Sequence, residues 1–129
     1  MSTYINLLNS GQLENRVKLL NEKLKSCSLC PRNCGVDRIK GELGFCRSDS
    51  KVLISNYCDH HGEEPAISGK NGSGTIFFAN CNLKCVFCQN YQISQGKDNS
   101  SFTEVTPAQL SDIMLELQNK GVHNINFVS

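Results

Sequence analysis

The sequence has no tryptophan, and its three tyrosines and six phenylalanines are few. They do not alternate with Lys or Arg as a base-stacking surface would, which argues against single-stranded nucleic acid as a ligand. Charge of one sign is also missing. Thirteen basic residues against twelve acidic ones leave a formal charge of +1, so nothing draws the chain toward nucleic acid or an anionic membrane. No apolar run approaches the roughly 20 residues that span a bilayer. The opening MSTYINLLNSGQLENRVKLL lacks a basic segment followed by an unbroken apolar core, so no secretory signal is expected. With 39% hydrophobic and 19% charged residues, the composition is neither that of a disordered chain nor that of a membrane-spanning one. At 129 residues the length suits a single domain.

Cysteine is what the chain has in excess, with eight residues. In a short secreted protein this number would suggest a disulfide framework. Without a visible signal, the expected compartment is the reducing cytoplasm, where clustered cysteines are more often metal ligands or redox groups.

Three sections follow one another. Residues 1–26 are helical, with Leu13, Val17, Leu20 and Leu24 at helical spacing and Ser10 as a cap; the stripe suggests packing. Residues 27–73 are rich in Cys, Gly and turn residues, with a short strand expected at Lys51–Ser55. A segment this poor in core-forming residues calls for a staple such as a metal. Residues 74–129 read strand, loop, helix, strand. Thr75–Phe78 is a buried type of strand, and Thr106-Pro107-Ala108-Gln109 supplies a helix N-cap, a proline at the first helical position and a capping-box glutamine. Leu110, Ile113, Met114 and Leu117 share one helix face, Gly121 closes it, and Asn124–Val128 forms a second strand. The fold class is α/β, with one βαβ unit of parallel strands. Parallel sheets usually have several strands. The 55 residues from Thr75 to Ser129 cannot hold a barrel whose units take roughly 30 residues each, so a partial chain is expected.

Cys81, Cys85 and Cys88 lie within eight residues, directly after a strand and before a helix. A structural zinc site needs four ligands, and no fourth Cys or His follows before His123. Three cysteines on a cubane iron–sulfur cluster leave one iron free for a substrate. The C-terminal end of a strand is also where α/β folds place their chemistry.

The spacing of Cys81, Cys85 and Cys88, with Phe87 at the aromatic position before the last cysteine, resembles the motif of the radical S-adenosylmethionine (SAM) superfamily. The stretches Gly72–Cys81 and Cys88–Ser94 resemble a branch related to the pyruvate formate-lyase activating enzymes. The similarity reaches back to Cys27-Ser-Leu-Cys30-Pro-Arg-Asn-Cys34 and forward to Val122–Val128, and so covers most of the chain. The resemblance implies the first βαβ of a partial TIM-like barrel. It implies that Cys81, Cys85 and Cys88 hold a [4Fe–4S] cluster whose open iron chelates SAM, with Phe87 near the adenine and the backbone of Gln89 and Asn90 beside it. It further implies hydrogen abstraction by a 5′-deoxyadenosyl radical, flavodoxin or ferredoxin as electron donor, and a protein substrate bearing a glycine. Activating enzymes tend to carry His after the last cysteine, where this chain has Gln89.

Cys27, Cys30, Cys34 and Cys46 form a second group among Pro31, Gly35, Gly41 and Gly44. Four thiolates at such spacings suit zinc or a second iron–sulfur cluster, and the sequence does not choose between them. Cys58 reads as a small buried hydrophobe. His60, His61, Glu63 and Glu64 lie in a loop ended by Pro65, where adjacent side chains point opposite ways. His123 reads as a strand-end residue. The rival to the radical SAM reading is a non-catalytic zinc-binding interaction module.

Overall fold

The computed structural model describes residues 3–96 and 98–129, and they fall into two compact units divided between Ser50 and Lys51. In the first unit, helix α1 (Thr3–Asn9) is followed by helix α2 (Gln12–Glu22), which runs into a 3-10 turn at Lys23–Ser26. The single helix expected here is two, because Gly11 sits at φ 71 between them, a left-handed conformation that glycine adopts without strain. Gly11, not Ser10, occupies the N-cap position of α2, while the Ser10 hydroxyl donates to the Leu7 carbonyl at 3.2 Å. No residue of α2 is buried; Val17 and Leu20 stay more than half exposed, so the stripe does not pack as expected.

The second unit is built on a four-stranded sheet with order β3-β1-β2-β4. Strand β1 (Val52–His60) is antiparallel to both β2 (Ser73–Phe78) and β3 (Thr103–Val105), and β2 is parallel to β4 (Asn124–Val128). The fold is thus mixed α/β. Short helices α3 (Pro65–Ser68) and α4 (Tyr91–Ser94) precede and follow β2, and α5 (Pro107–Asn119) makes the return to β4. The capping box at the start of α5 is complete: Thr106 Oγ1 accepts from the Gln109 N–H, and Gln109 Oε1 accepts from the Thr106 N–H. Such a cap is worth about 1 kcal/mol. Gly121 follows the helix at φ 85.

Alternation along the strands sorts the sheet into two faces. Ile54, Ile76 and Val105 are buried under α5 with Leu117, and Phe78, Leu110, Ile113 and Met114 pack around them. Truncating Ile76 or Leu117, both fully buried, would cost about 2–5 kcal/mol. The opposite face is polar. Ser73, Thr75 and Phe77 of β2 lie there opposite Asn124, Asn126 and Val128 of β4. The Ser73 hydroxyl donates to Asn124 Oδ1 at 2.8 Å, and Asn124 Nδ2 donates to Asn126 Oδ1 at 2.8 Å.

Two elements depart from the sequence reading. Strand β1 continues past Ser55 to His60, because Asn56, Cys58 and His60 can face the polar side while Tyr57 turns toward α5. Cys58 therefore sits in mid-strand, half-buried, opposite Thr75. Strand β3 was not expected at all. Among the described residues, no helix is long and apolar enough to cross a membrane.

Candidate functional site

The loop from Ala79 to Asn90 leaves the C-terminal end of β2. The Ala79 N–H still reaches the Leu53 carbonyl at 3.0 Å, but Asn80, buried at φ 69, swings the chain out of the sheet. Its own N–H donates to the Ile93 carbonyl at 2.8 Å, tying the start of the loop to α4. Cys81 comes next, and Lys84, at φ 53, makes a second left-handed turn before Cys85. This winding aims the Leu83 N–H at Cys81 Sγ, 3.5 Å away. Burial pushes the Cys81 thiol up. The N–H of Leu83, the Ser129 side chain and the N–H groups of Lys84 and Asn82 outweigh it and hold the thiol below its ordinary range. Charge on this sulfur is thus favoured by backbone dipoles.

Cys85 and Cys88 belong to one turn, closed by the Cys88 N–H on the Cys85 carbonyl at 3.2 Å. Gln95 Nε2 donates to that same carbonyl at 2.9 Å, and Cys88 Sγ lies 3.3 Å from the hydroxyl of buried Ser94. All three thiols are free and half-buried. Cys85 and Cys88 line a cavity of about 340 Å³ together with Phe87, Gln89 and Asn90. Phe87 is 86% exposed, an apolar ring presented at the mouth rather than used in the core. Cys81 does not line this cavity.

A second cavity, about 410 Å³, opens over the polar face of the sheet. Thr75, Phe77 and Val128 form its floor, His60 and Glu63 stand at one side, and Gln89 and Asn90 at another. Gln89 and Asn90 therefore border both cavities. His60 Nε2 is 3.9 Å from Glu63 Oε1, whereas His61 turns the other way to Asp59 at 3.4 Å. Glu64 contributes its backbone carbonyl, which accepts from Ile67 and Ser68. His123 is exposed, and its N–H donates to the Gly72 carbonyl. The polar strand residues were not singled out from the sequence, although the alternation Asn124-Ile125-Asn126-Phe127 carried the signal.

The cysteines of the first unit lie in a loop pinned by backbone bonds. The Cys27 N–H donates to the Val36 carbonyl and the Gly35 N–H to the Cys27 carbonyl, both at 3.0 Å. Arg38, which the sequence reading passed over, enters this group. It is 5% exposed, its Nη2 lies 3.5 Å from Cys34 Sγ, and Cys27 and Cys46 beside it favour its charged form against the cost of burial. Burial opposes charge on Cys27, but the Leu29 N–H, Arg38 and the Cys34 thiol bring its titration below the ordinary thiol range. A Cβ on Gly44 would stand 2.6 Å from Cys34 Sγ and 2.9 Å from Arg38 Nη2, so a side chain here would displace the sulfur or the guanidinium. Cys30 is half-buried, and its carbonyl accepts from the Asn33 N–H.

Among the described residues, no three Cys, His, Asp or Glu side chains converge as the ligands of one ion would. In both groups, however, the donors suit soft metal chemistry. They are thiols on short loops, and at Cys27 and Cys81 neighbouring N–H groups favour the thiolate. Metal binding to such loops is coupled to local ordering.

Fold and site together define an α/β protein with a cysteine-bearing loop at the exit of a parallel strand. The chain is 41% identical over 83 residues to the uncharacterized protein MJ0674 of Methanocaldococcus jannaschii, covering 64% of this chain and 23% of that protein. It is 26% identical over 119 residues to the uncharacterized protein MJ0808 of the same organism, covering 81% of this chain and 35% of that one. The chain thus spans about a quarter to a third of the length of these curated relatives. No protein-family model matches it, and no solved structure matches it significantly.

Proposed function

We propose that this chain is the cluster-bearing part of a radical SAM iron–sulfur enzyme, with Cys81, Cys85 and Cys88 as ligands of a [4Fe–4S] cluster. The observation that carries this reading is the position of the triplet. Three free thiols leave the C-terminal end of a buried strand, two of them face a cavity, and that cavity shares Gln89 and Asn90 with the polar pocket over the sheet. With only three cysteine ligands, one iron is left without a protein ligand, and its chemistry would be the reductive cleavage of bound SAM to a radical that abstracts hydrogen.

The chain's own residues would do the rest. Backbone N–H groups around Cys81 steady a charged sulfur. Phe87 offers an apolar ring at the cavity mouth for a flat base, with Gln89 and Asn90 beside it. The polar sheet face of Thr75, Asn124 and Asn126 would then line the interior of a partial TIM-like barrel. The Cys27–Cys46 group would bind zinc or a second iron–sulfur cluster as a staple. A cytoplasmic location, an electron donor such as flavodoxin or ferredoxin, and a protein substrate with a glycine to activate complete the proposal.

The test is anaerobic reconstitution of the full chain with iron and sulfide, followed by metal counting in the wild type and in Cys85→Ala. The variant should lose about four irons per chain and keep any metal at Cys27–Cys46. Unchanged iron in Cys85→Ala would defeat the triplet assignment, and zinc alone at both groups would favour a non-catalytic zinc module.

A further inference from the structure

The cavity of about 410 Å³ over the polar sheet face has a charge pattern of its own. Among the described residues that line it there is one carboxylate, Glu63, and no Lys or Arg. His60 Nε2 stands 3.9 Å from Glu63 Oε1, beyond hydrogen-bonding reach. The Glu63 carboxylate therefore keeps acceptor sites for another donor. Its side chain is 35% exposed, and partial shielding from water strengthens any opposite charge placed against it. The backbone beneath it is held in place: the hydroxyl of buried Ser68 donates to the carbonyls of Glu63 and Glu64, each at 3.2 Å. Thr75 is buried in the floor, and its hydroxyl donates to the Ser73 carbonyl at 3.4 Å, which leaves the Thr75 oxygen as an acceptor. Phe77 and Val128 add an apolar surface to the same cavity.

We infer that this cavity is a binding site for a small primary amine, with Glu63 taking the ammonium group and Phe77 and Val128 the carbon chain. An ammonium has three donors and no acceptor, which suits a carboxylate beside a hydroxyl oxygen, and its bonds to the carboxylate are charge-assisted. An anion would meet Glu63 with no Lys or Arg in the lining to offset it. For the same reason the occupant carries no carboxylate next to its amine. The volume lies at the small end of ligand pockets, so the site takes a short chain rather than a folded segment. No cysteine lines the cavity, and the inference goes beyond the cluster reading without resting on it. Gln89 and Asn90 border both this cavity and the one beside Cys85 and Cys88, so a bound amine would lie next to the cysteine loop.

The test is a titration of the full, 15N-labelled chain at pH 7 with its thiols kept reduced and no metal added, followed by amide NMR. Pentylammonium is the probe, and hexanoate is the matching anion. Norleucine has the ammonium and chain of the probe with a carboxylate added beside the amine. Pentylammonium should shift the amide signals of Glu63, Thr75, Gln89 and Asn90 saturably, and hexanoate should leave them in place. Glu63→Gln, which keeps the shape and removes the charge, should weaken pentylammonium at least about tenfold, as expected for a hydrogen bond to a charged group. Pentylammonium that leaves these signals unmoved, or that binds Glu63→Gln as well as the parent, would overturn the inference. So would hexanoate binding equally well. Norleucine binding as tightly as pentylammonium would also overturn it, pointing to the amino-acid end of a ligand such as SAM. Should Glu63→Gln lose its dispersed spectrum, the comparison of the three probes on the unsubstituted chain decides. Either result leaves the iron content of Cys85→Ala as a separate test of the cluster.

Discussion

Asn80 shows how one residue sets the cysteine loop in place. Its φ of 69 takes the chain out of β2, and asparagine tolerates this region better than most residues with a Cβ. The conformational part can be isolated by comparing two truncations that both delete the side-chain amide. Asn80→Gly should be more stable than Asn80→Ala by about 1 kcal/mol in chemical denaturation, because only alanine meets the left-handed penalty. Equal stability of the two would show that the backbone here is not held in that region. The cysteines of the triplet were legible from their spacing alone, whereas Asn80 and Arg38 were not. A left-handed asparagine and a buried arginine are defined by what surrounds them, and only folding brings the Arg38 guanidinium to Cys34 Sγ and the Ser48 carbonyl.

At the scale of elements, α5 is fastened to the sheet by more than its apolar face. The Tyr57 hydroxyl on β1 donates to Glu116 Oε2 at 3.1 Å, and Lys120 Nζ reaches Glu116 Oε1 at 2.8 Å. Hydrogen bonding from Lys120, and then from Tyr57, holds the Glu116 carboxyl below its ordinary range. A lowered folded-state value means that the contribution is present above the ordinary carboxylate range and is lost as pH falls through the folded value. The bond to Glu116 also raises the Tyr57 phenol, so that group's contribution is present at neutral pH and is lost as alkaline pH passes its folded value. Glu116→Gln should therefore lower the melting temperature slightly at neutral pH, since the groups are exposed and screened. The difference should close in acid. A gap independent of pH would show that the charge of Glu116 does not matter.

Elements whose signal is local were the ones legible in the sequence. The Thr106–Gln109 box, the α5 stripe, Gly121 and the parallel partners β2 and β4 were all marked by residues close together in the chain. The second half of β1 was hidden because Asn56, Asp59 and His60 look like loop residues; Asn56 and His60 fit a strand by taking the polar face of the sheet, and Asp59 by staying exposed on the other. Strand β3, three residues long, is too short for any alternation to register. The α2 stripe had the correct period for a helix, yet period alone does not say whether a partner is present to bury it.

For the second unit, the sheet has one face buried under α5 and one polar face that carries a cavity, and the loop holding Cys81, Cys85 and Cys88 emerges at the end of β2, which is parallel to the neighbouring β4. In the proposed enzyme this puts the cluster ligands on the loop that leaves β2, beside the polar ligand-facing surface of β2 and β4. The curated relatives are about three to four times as long as the portion matched here.

The most direct measurement is low-temperature EPR of the anaerobically reconstituted, reduced chain, recorded with and without SAM. The expected result is the signal of a reduced [4Fe–4S] cluster that shifts when SAM is added, with this SAM-responsive signal absent in Cys85→Ala. A chain that takes up only zinc and stays EPR-silent would contradict a cluster at Cys81, Cys85 and Cys88.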